Sequence, residues 1–160
     1  MLGVGQKLPD FKIIGVKPGF NSHEENGASA FEPLTQDSFE GKWKVIFFYP
    51  KDFTFVCPTE IAAFAKLGKD FEDRDTVVLG GSTDNEFTKL ARALGVLDEE
   101  EGVALRATFV VDPHNVIQHV YVTNLNVGRS PEDTLRVVDA LQTDELCACN
   151  RPVGGDTLAA

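Results

Sequence analysis

Cysteine is scarce in this chain, with three in 160 residues, at positions 57, 147 and 149. An odd, low count excludes a disulfide scaffold and leaves the thiols as inert core residues, metal ligands or redox groups. Basic residues are few as well. Lys and Arg total 15 against 25 Asp and Glu, a net charge of −10, and no basic patch stands out. That argues against nucleic acid and against an anionic membrane as partners. No apolar run reaches the length of a membrane-spanning helix. The start, "MLGVGQKLPDF", lacks the charged and apolar regions of a signal peptide, so the expected location is cytoplasmic. Internal repeats are absent.

What is present suits one compact domain over 1–160, since 42% of the residues are hydrophobic. Residues 143–160 form a C-terminal tail that ends in the low-order stretch "RPVGGDTLAA". "KVIFFY" (44–49), "TVVLGGS" (76–82), "ATFVVD" (107–112) and "VIQHVYV" (116–122) are expected strands. The first three are apolar runs of the kind buried on both faces. From Pro58 to Phe71, the residues Ile61, Phe64, Ala65, Gly68 and Phe71 fall at helical spacing on one face. Leu135, Val138 and Leu141 do the same from Pro131 to Leu141, with Ser130 as N-cap and Pro131 at N1. A shorter helix is expected from Asn85 to Leu94. The alternation predicts an α/β fold with a mostly parallel or mixed central sheet and helices on both faces. "DPHN" (112–115) is turn chemistry between the last two strands. "PDFKIIG" reads as an edge strand, "KPGFNSHEENGAS" as a loop, and the acidic "LDEEEG" (97–102) as a solvated turn.

Cys57 stands immediately before Pro58, at or near the N-cap of the 58–71 helix. Unpaired N–H groups and the positive dipole end stabilise an anion there, and the thiolate is the nucleophilic form of cysteine. Glu60 occupies the capping-box position. The alternative is a buried cysteine that packs at a strand end, and helix-start placement alone does not decide between them.

The surrounding residues add a resemblance. "PKDFTFVC" fits Pro-x-x-x-Thr-x-x-Cys through Pro50, Thr54 and Cys57, and it resembles the active-site signature of the peroxiredoxins. The longer "FFYPKDFTFVCPTEIAAFAKL" is similar to the bacterial alkyl hydroperoxide reductase C branch, the typical 2-Cys group. The likeness continues through "GKWKVIFFYP", "FEDRDTVVLGGSTDNEF" and "RATFVVDPHNVIQHVYVTNLNVGRSPEDTLRVVDALQTDELCACN", covering most of 41–150. It implies a thioredoxin-like fold and a thiol-dependent peroxidase acting on hydrogen peroxide and alkyl hydroperoxides, with no metal and no bound cofactor.

By that resemblance Cys57 attacks the O–O bond and becomes a sulfenic acid. Thr54 hydrogen-bonds the thiolate and the peroxide, and Pro50 packs over the site. Arg106 stabilises the sulfur and the peroxide oxygens, as a fixed, always-charged fork would. Arg129 ties to Glu60 and supports Arg106. A surface salt bridge is the plainer reading of either arginine. Cys147 is the resolving cysteine, condensing with the sulfenate of a partner subunit. Cys149 is an extra thiol of some actinobacterial-type members, able to resolve or to relay the disulfide. Exchange favours thiols on mobile terminal segments. Electrons would come from thioredoxin, a flavoprotein reductase or another dithiol. The implied assembly is a homodimer, with a decamer in this branch. A Cys-x-Cys zinc site is disfavoured, because His23, His114 and His119 lie at no finger spacing; His114 is expected in a turn and His119 in a strand.

The chain departs from the pattern in one region. Between "STDNEF" and "ALGV", where family members carry about one more helix and an edge strand, "DNEFTKLARALGV" runs straight through. This is an apparent internal deletion between Phe87 and Leu94. It leaves a crossover from "TVVLGGS" to "ATFVVD" and predicts an uncovered sheet edge. The lost region contributes to contacts between dimers, which weighs against the decamer. The family's C-terminal Tyr-Phe segment, linked to over-oxidation sensitivity, is missing too. Two rival functions follow. One is a peroxidase-impaired redox sensor or chaperone-like oligomer. The other, a thioredoxin-like disulfide oxidoreductase, is weak because "CPTE" lacks the second cysteine of C-x-x-C.

Overall fold

The computed structural model describes residues 1–16, 30–52, 55–84 and 87–158. The elements run β1 (Lys12–Val16), β2 (Phe31–Thr35), β3 (Trp43–Tyr49), α1 (Cys57–Lys66), α2 (Gly68–Glu72), β4 (Thr76–Ser82), α3 (Phe87–Leu94), β5 (Leu97–Asp98), β6 (Val103–Ala104), β7 (Arg106–Val111), β8 (Ile117–Thr123) and α4 (Pro131–Gln142). The loop expected at 17–29, with His23, lies outside the described residues, as do Thr54 and the first two positions of the helix expected from Asn85.

The central sheet has the order β4-β3-β7-β8. β3 pairs parallel with β4 and antiparallel with β7, and β7 pairs antiparallel with β8. Of the two sheet types expected, the mixed one holds. The right-handed crossover expected from β4 to β7 is corrected: β3 is parallel to β4 but antiparallel to β7, so β4 and β7 run in opposite directions and the connection is not a parallel crossover. β3 and β7 are buried along almost their whole length, which is why their sequences are continuous apolar runs rather than alternating ones. Their side chains still alternate in direction. Ile46, Phe48 and Phe109 enter one core with Phe87, Leu90 and Leu94 of α3. Val45, Phe47 and Val110 enter the other with Phe64, Phe71, Leu135 and Val138. Helices therefore cover both faces, as expected.

The β7–β8 hairpin closes on the predicted turn. Asp112 Oδ1 accepts from the backbone N of His114 at 2.8 Å and of Val116 at 2.9 Å, and Asn115 takes the left-handed conformation that asparagine tolerates, at φ 61°. Asn115 also accepts from the buried Lys44 Nζ at 2.9 Å. Burial pulls the Lys44 amine below its usual value, partly offset by Asp112 and Asp37. Ser130 caps α4 by accepting from Asp133 N at 3.2 Å, with Pro131 following it.

Four expectations are revised. The helix expected over 58–71 breaks at Leu67, whose φ of −92° and ψ of 6° leave the helical region. Leu67 N closes back to Phe64 O, a tighter turn, and Gly68 starts α2. Of the expected apolar face only Phe64 and Phe71 are buried, while Ile61 is 41% exposed. "PDFKIIG" does supply a strand, but β1 pairs with β2 in a separate two-stranded sheet and not at the edge of the central one. In "LDEEEG" the expected solvated turn holds over 99–102, and the revision is confined to its first two residues, which form a short strand with Leu97 opposite Ala104 and Asp98 opposite Val103. The tail is folded through Leu158: Arg151 Nη1 donates to Asp139 Oδ2 at 2.6 Å, Gly154 N to the same oxygen at 2.9 Å, and Leu158 N to Leu146 O at 2.8 Å.

Candidate active site

Cys57 is the first residue of α1 and is fully buried; Val56 is the N-cap, without a side-chain cap bond. β3 delivers the chain to Pro50, and Cys57, at the start of α1, lies in the core with Phe47, Tyr49 and Phe64. Arg106 opens β7 and Arg129 precedes α4, and both reach Glu60 in the first turn of α1.

Arg106 is the hub. Its Nη1 lies 3.5 Å from Cys57 Sγ and 2.6 Å from Glu60 Oε2, and its Nε donates to Leu125 O at 2.7 Å. Glu60 does not form the expected capping box. Its carboxylate turns inward to accept from both arginines: Arg129 N and Nε donate to Oε1 at 2.9 and 2.8 Å, and Nη2 donates to Oε2 at 2.8 Å. The plainer surface-pair reading of the arginines is overturned, since the three charged side chains are at most 4% exposed. Burial pushes the Glu60 carboxyl up, but hydrogen bonds and charge from Arg129, with the Arg106 charge, outweigh it and hold the group below its usual range. Arg129 also donates from Nη1 to Ala107 O at 2.8 Å and sits 5.4 Å over the Phe47 ring. Two guanidiniums share one carboxylate, which leaves one positive charge facing the sulfur.

A cavity of about 280 Å³ opens beside this cluster, lined in part by Pro50, Phe55, Val56, Val103, Arg106 and Leu125. Its walls are mainly apolar, with Arg106, Lys51 and Glu101 as the charged residues of the lining. Sequence reasoning missed Val103, Leu125 and Glu101, which also reaches the cavity wall from the acidic run. Nothing in the local sequence connects these residues to Cys57; only the β5–β6 hairpin and the loop after β8 bring them there. Tyr49, next to the site, is pushed up to about 12 by burial and by a hydrogen bond to Asp52, so its hydroxyl stays protonated.

Cys147 and Cys149 are elsewhere. α4 begins two residues after Arg129 and extends over twelve residues, roughly 18 Å at a rise of 1.5 Å per residue. Cys147 lies past its far end, half-buried, with Sγ 3.7 Å from Ala140 O and 3.5 Å from Thr143 Oγ1. Cys149 is exposed, and all three thiols are free. His114 sits in the hairpin turn and His119 on β8, as expected. No cluster of His, Cys, Asp or Glu able to hold a metal occurs among the described residues.

Residues 4–91 match the AhpC/TSA family. The chain belongs to that family. Alkyl hydroperoxide reductase C of Mycolicibacterium smegmatis is 46% identical, with 100% of this chain and 95% of the relative covered. The solved structure of Mycobacterium tuberculosis AhpC superposes with a TM-score of 0.80 at 43% identity, covering 94% of this chain and 98% of that one. That of Plasmodium vivax 2-Cys peroxiredoxin, reduced, gives a TM-score of 0.84 at 29% identity, covering 98% and 92%. The fold is the thioredoxin-like one of these proteins, and the chain is a peroxiredoxin, a thiol-dependent peroxidase working with peroxide substrates and a thiol reductant. The alignment with the smegmatis relative spans 186 positions and takes in all 160 residues here. The 26 positions by which 186 exceeds 160 have no counterpart in this chain, in keeping with the expected internal deletion. Among the described residues no helix is long and apolar enough to cross a membrane.

Proposed function

We propose that Cys57 is the peroxidatic cysteine of a typical 2-Cys cycle that reduces hydrogen peroxide and alkyl hydroperoxides. The contact that carries this reading is Arg106 Nη1 at 3.5 Å from Cys57 Sγ, with the same guanidinium anchored on Glu60 and on Leu125 O. A thiolate at Cys57 neutralises the surplus positive charge of the cluster. It attacks the distal peroxide oxygen; the S–O bond forms as the O–O bond breaks, sulfur is oxidised and the peroxide reduced, and the leaving alkoxide or hydroxide takes up the proton that the thiol gave up, leaving as an alcohol or as water. Arg106, fixed and always charged, stabilises the charge developing on the leaving oxygen. Pro50, on the cavity wall, limits access of water. Thr54 would add a hydroxyl to the peroxide. The apolar walls suit an alkyl group, which favours peroxidase action over an impaired redox sensor.

Resolution needs a second chain. With Cys147 past the far end of α4, the Cys147 thiol of a partner subunit condenses with the Cys57 sulfenic acid, forming the S–S bond and releasing water. Thioredoxin, a flavoprotein reductase or another dithiol then reduces the disulfide, Cys149 serving as an alternative or relay thiol. The working unit is at least a homodimer, the whole chain acts as one domain with 143–160 as its resolving tail, and the setting is cytoplasmic, where three free thiols stay reduced.

The test is single-turnover oxidation by hydrogen peroxide, followed on non-reducing gels and by intact mass. The parent chain should oxidise far faster than free cysteine and give a dimer-sized disulfide. The double variant Cys147→Ser, Cys149→Ser should oxidise as fast but stop at sulfenic acid, and a disulfide in Cys147→Ser alone would assign resolution to Cys149. Oxidation no faster than free cysteine would sink the reading.

A further inference from the structure

We propose, resting on Cys57 as the peroxidatic cysteine, that Ser82, Thr83 and Asp84 are positioning residues for peroxide reduction. They fix Pro50 and Asp52, at the start of the loop that leads to Cys57, and so hold the Pro50 wall of the cavity in place beside Arg106. β3 and β4 are parallel neighbours, and Tyr49 stands opposite Ser82 at their last shared position. The chain therefore leaves both strands side by side, at the carboxyl end of the pair, where α/β sheets place their binding crevices. Three hydrogen bonds cross from one exit to the other. Thr83 Oγ1 donates to Pro50 O at 3.1 Å, Asp52 N donates to Asp84 Oδ2 at 2.7 Å, and Ser82 Oγ donates to Asp52 Oδ2 at 3.2 Å. Proline has no N–H, so its carbonyl is the main-chain group by which it can be held. Thr83 takes that carbonyl, and the other two bonds fix the residue two places on.

The holding side is itself anchored in the core. Ser82 is fully buried. Asp84 N donates to Ser82 Oγ at 3.3 Å, and Thr88 Oγ1, on α3, donates to Thr83 O at 2.9 Å. Phe87, which opens α3, lies so close to Gly81 that a Cβ there would strike its ring, and Leu90 and Leu94 seat the rest of the helix in the core. The held side has little packing of its own, for Lys51 is exposed and Phe55 is 96% exposed. A segment with few buried apolar contacts keeps its place through its hydrogen bonds. Ser82, Thr83 and Asp84 are not part of the cavity lining, whereas Pro50 is. Their effect on the reaction therefore passes through Pro50. A cavity wall out of place slows a reaction that depends on orientation, even where the nucleophile is intact.

The test uses the full chain with Cys147→Ser and Cys149→Ser, so that Cys57 is the one thiol and its oxidation halts at sulfenic acid. Two rates are compared: oxidation by hydrogen peroxide, and alkylation by iodoacetamide, which needs the thiolate but no peroxide cavity. Thr83→Val keeps the shape and deletes the hydroxyl. It should slow oxidation roughly five- to tenfold, the weight of one hydrogen bond, while alkylation holds or rises. Thr83→Ser restores the donor and should keep the parent rate of oxidation. At the exposed Asp84, Asp84→Ala should slow oxidation in the same way, and Asp84→Asn, which keeps an oxygen for Asp52 N, should not. Parent rates of oxidation in both Thr83→Val and Asp84→Ala overturn the proposal. So does equal slowing in Thr83→Val and Thr83→Ser, or equal slowing of oxidation and alkylation, which would place the effect on the thiolate and not on the wall. A parent no faster than free cysteine is a separate result, and it sinks the peroxidatic reading and this proposal together.

Discussion

Glu60 and Arg129, 69 positions apart in the chain, are joined by three hydrogen bonds of 2.8–2.9 Å in the interior. The pair ties α1 to the start of α4 and turns the same carboxylate toward Arg106 at 2.6 Å. Breaking a buried ion pair by removing one partner costs about 3–5 kcal/mol, because the other charge is left without compensation. Glu60→Gln strands two guanidiniums and should lie at the upper end of that range in urea unfolding under reducing conditions. Arg129→Met should cost less, since Arg106 still neutralises Glu60. Equal losses for the two variants would mean that the carboxylate is not shared as the distances indicate.

The same carboxylate makes stability depend on pH with a definite sign. Glu60 titrates below its usual range in the folded protein, and so does Asp139, where Gly154 N, Arg151 and Arg74 outweigh burial. Their contribution is fully present above the unfolded value of about 4 and is lost as pH falls through the lower folded values. His119 acts earlier. Burial holds its imidazole below the usual value, so stability starts to fall as pH drops through about 6.5. Urea midpoints from pH 8 to 3 should show a shallow first decline and a steep second one. His119→Gln should remove only the first. A parent profile flat to pH 5 would contradict the burial argument.

Arg106→Lys keeps a positive charge but loses the fork. A single ammonium cannot reach Leu125 O, Glu60 and Cys57 Sγ together, as the three guanidinium contacts do at 2.7, 2.6 and 3.5 Å. Loss of one aligned donor at a developing oxyanion slows reactions by roughly 10²–10³-fold. The second-order rate of Cys57 oxidation should fall in that range, measured by stopped flow on Cys147→Ser chains. A change under threefold would show that charge alone suffices.

The chemistry was more legible in the sequence than the surroundings that hold it. Cys57, Pro50, Arg106 and Glu60 are carried by local strings, and the structure brings all four to one place. The inward turn of Glu60 was not readable locally, because a capping box is a local motif and the arginines that outbid it come from β7 and the loop before α4. The helix break at Leu67 escaped because the apolar spacing runs on through Gly68 to Phe71, while tight closure of one turn leaves no mark in that spacing. β2 escaped because Phe31–Thr35 has a proline in its middle, tolerable because among the described residues the strand pairs on one side only, in a two-stranded sheet. The tail read as low-order from its glycines, yet one arginine inside it finds a carboxylate on α4.

That carboxylate gives the last prediction. Asp139 receives Arg74 Nε at 3.0 Å, Arg151 Nη1 at 2.6 Å and Gly154 N at 2.9 Å. Only the last two hold the tail, together with Leu158 N on Leu146 O and a Thr157–Glu145 hydrogen bond. Asp139→Asn keeps the shape but removes the charge that two arginines meet. Hydrogen bonds to charged groups contribute about 1.5–3 kcal/mol each, so residues 151–158 should exchange amide hydrogens about tenfold faster or more. The tail folds back over the segment that carries Cys147, and its thiol should therefore be alkylated faster by a similar factor, while Cys57 oxidation by peroxide keeps its parent rate. Faster alkylation of Cys57 as well would mean that the substitution loosens α4 as a whole. Unchanged exchange in the tail would mean that Asp139 does not hold it.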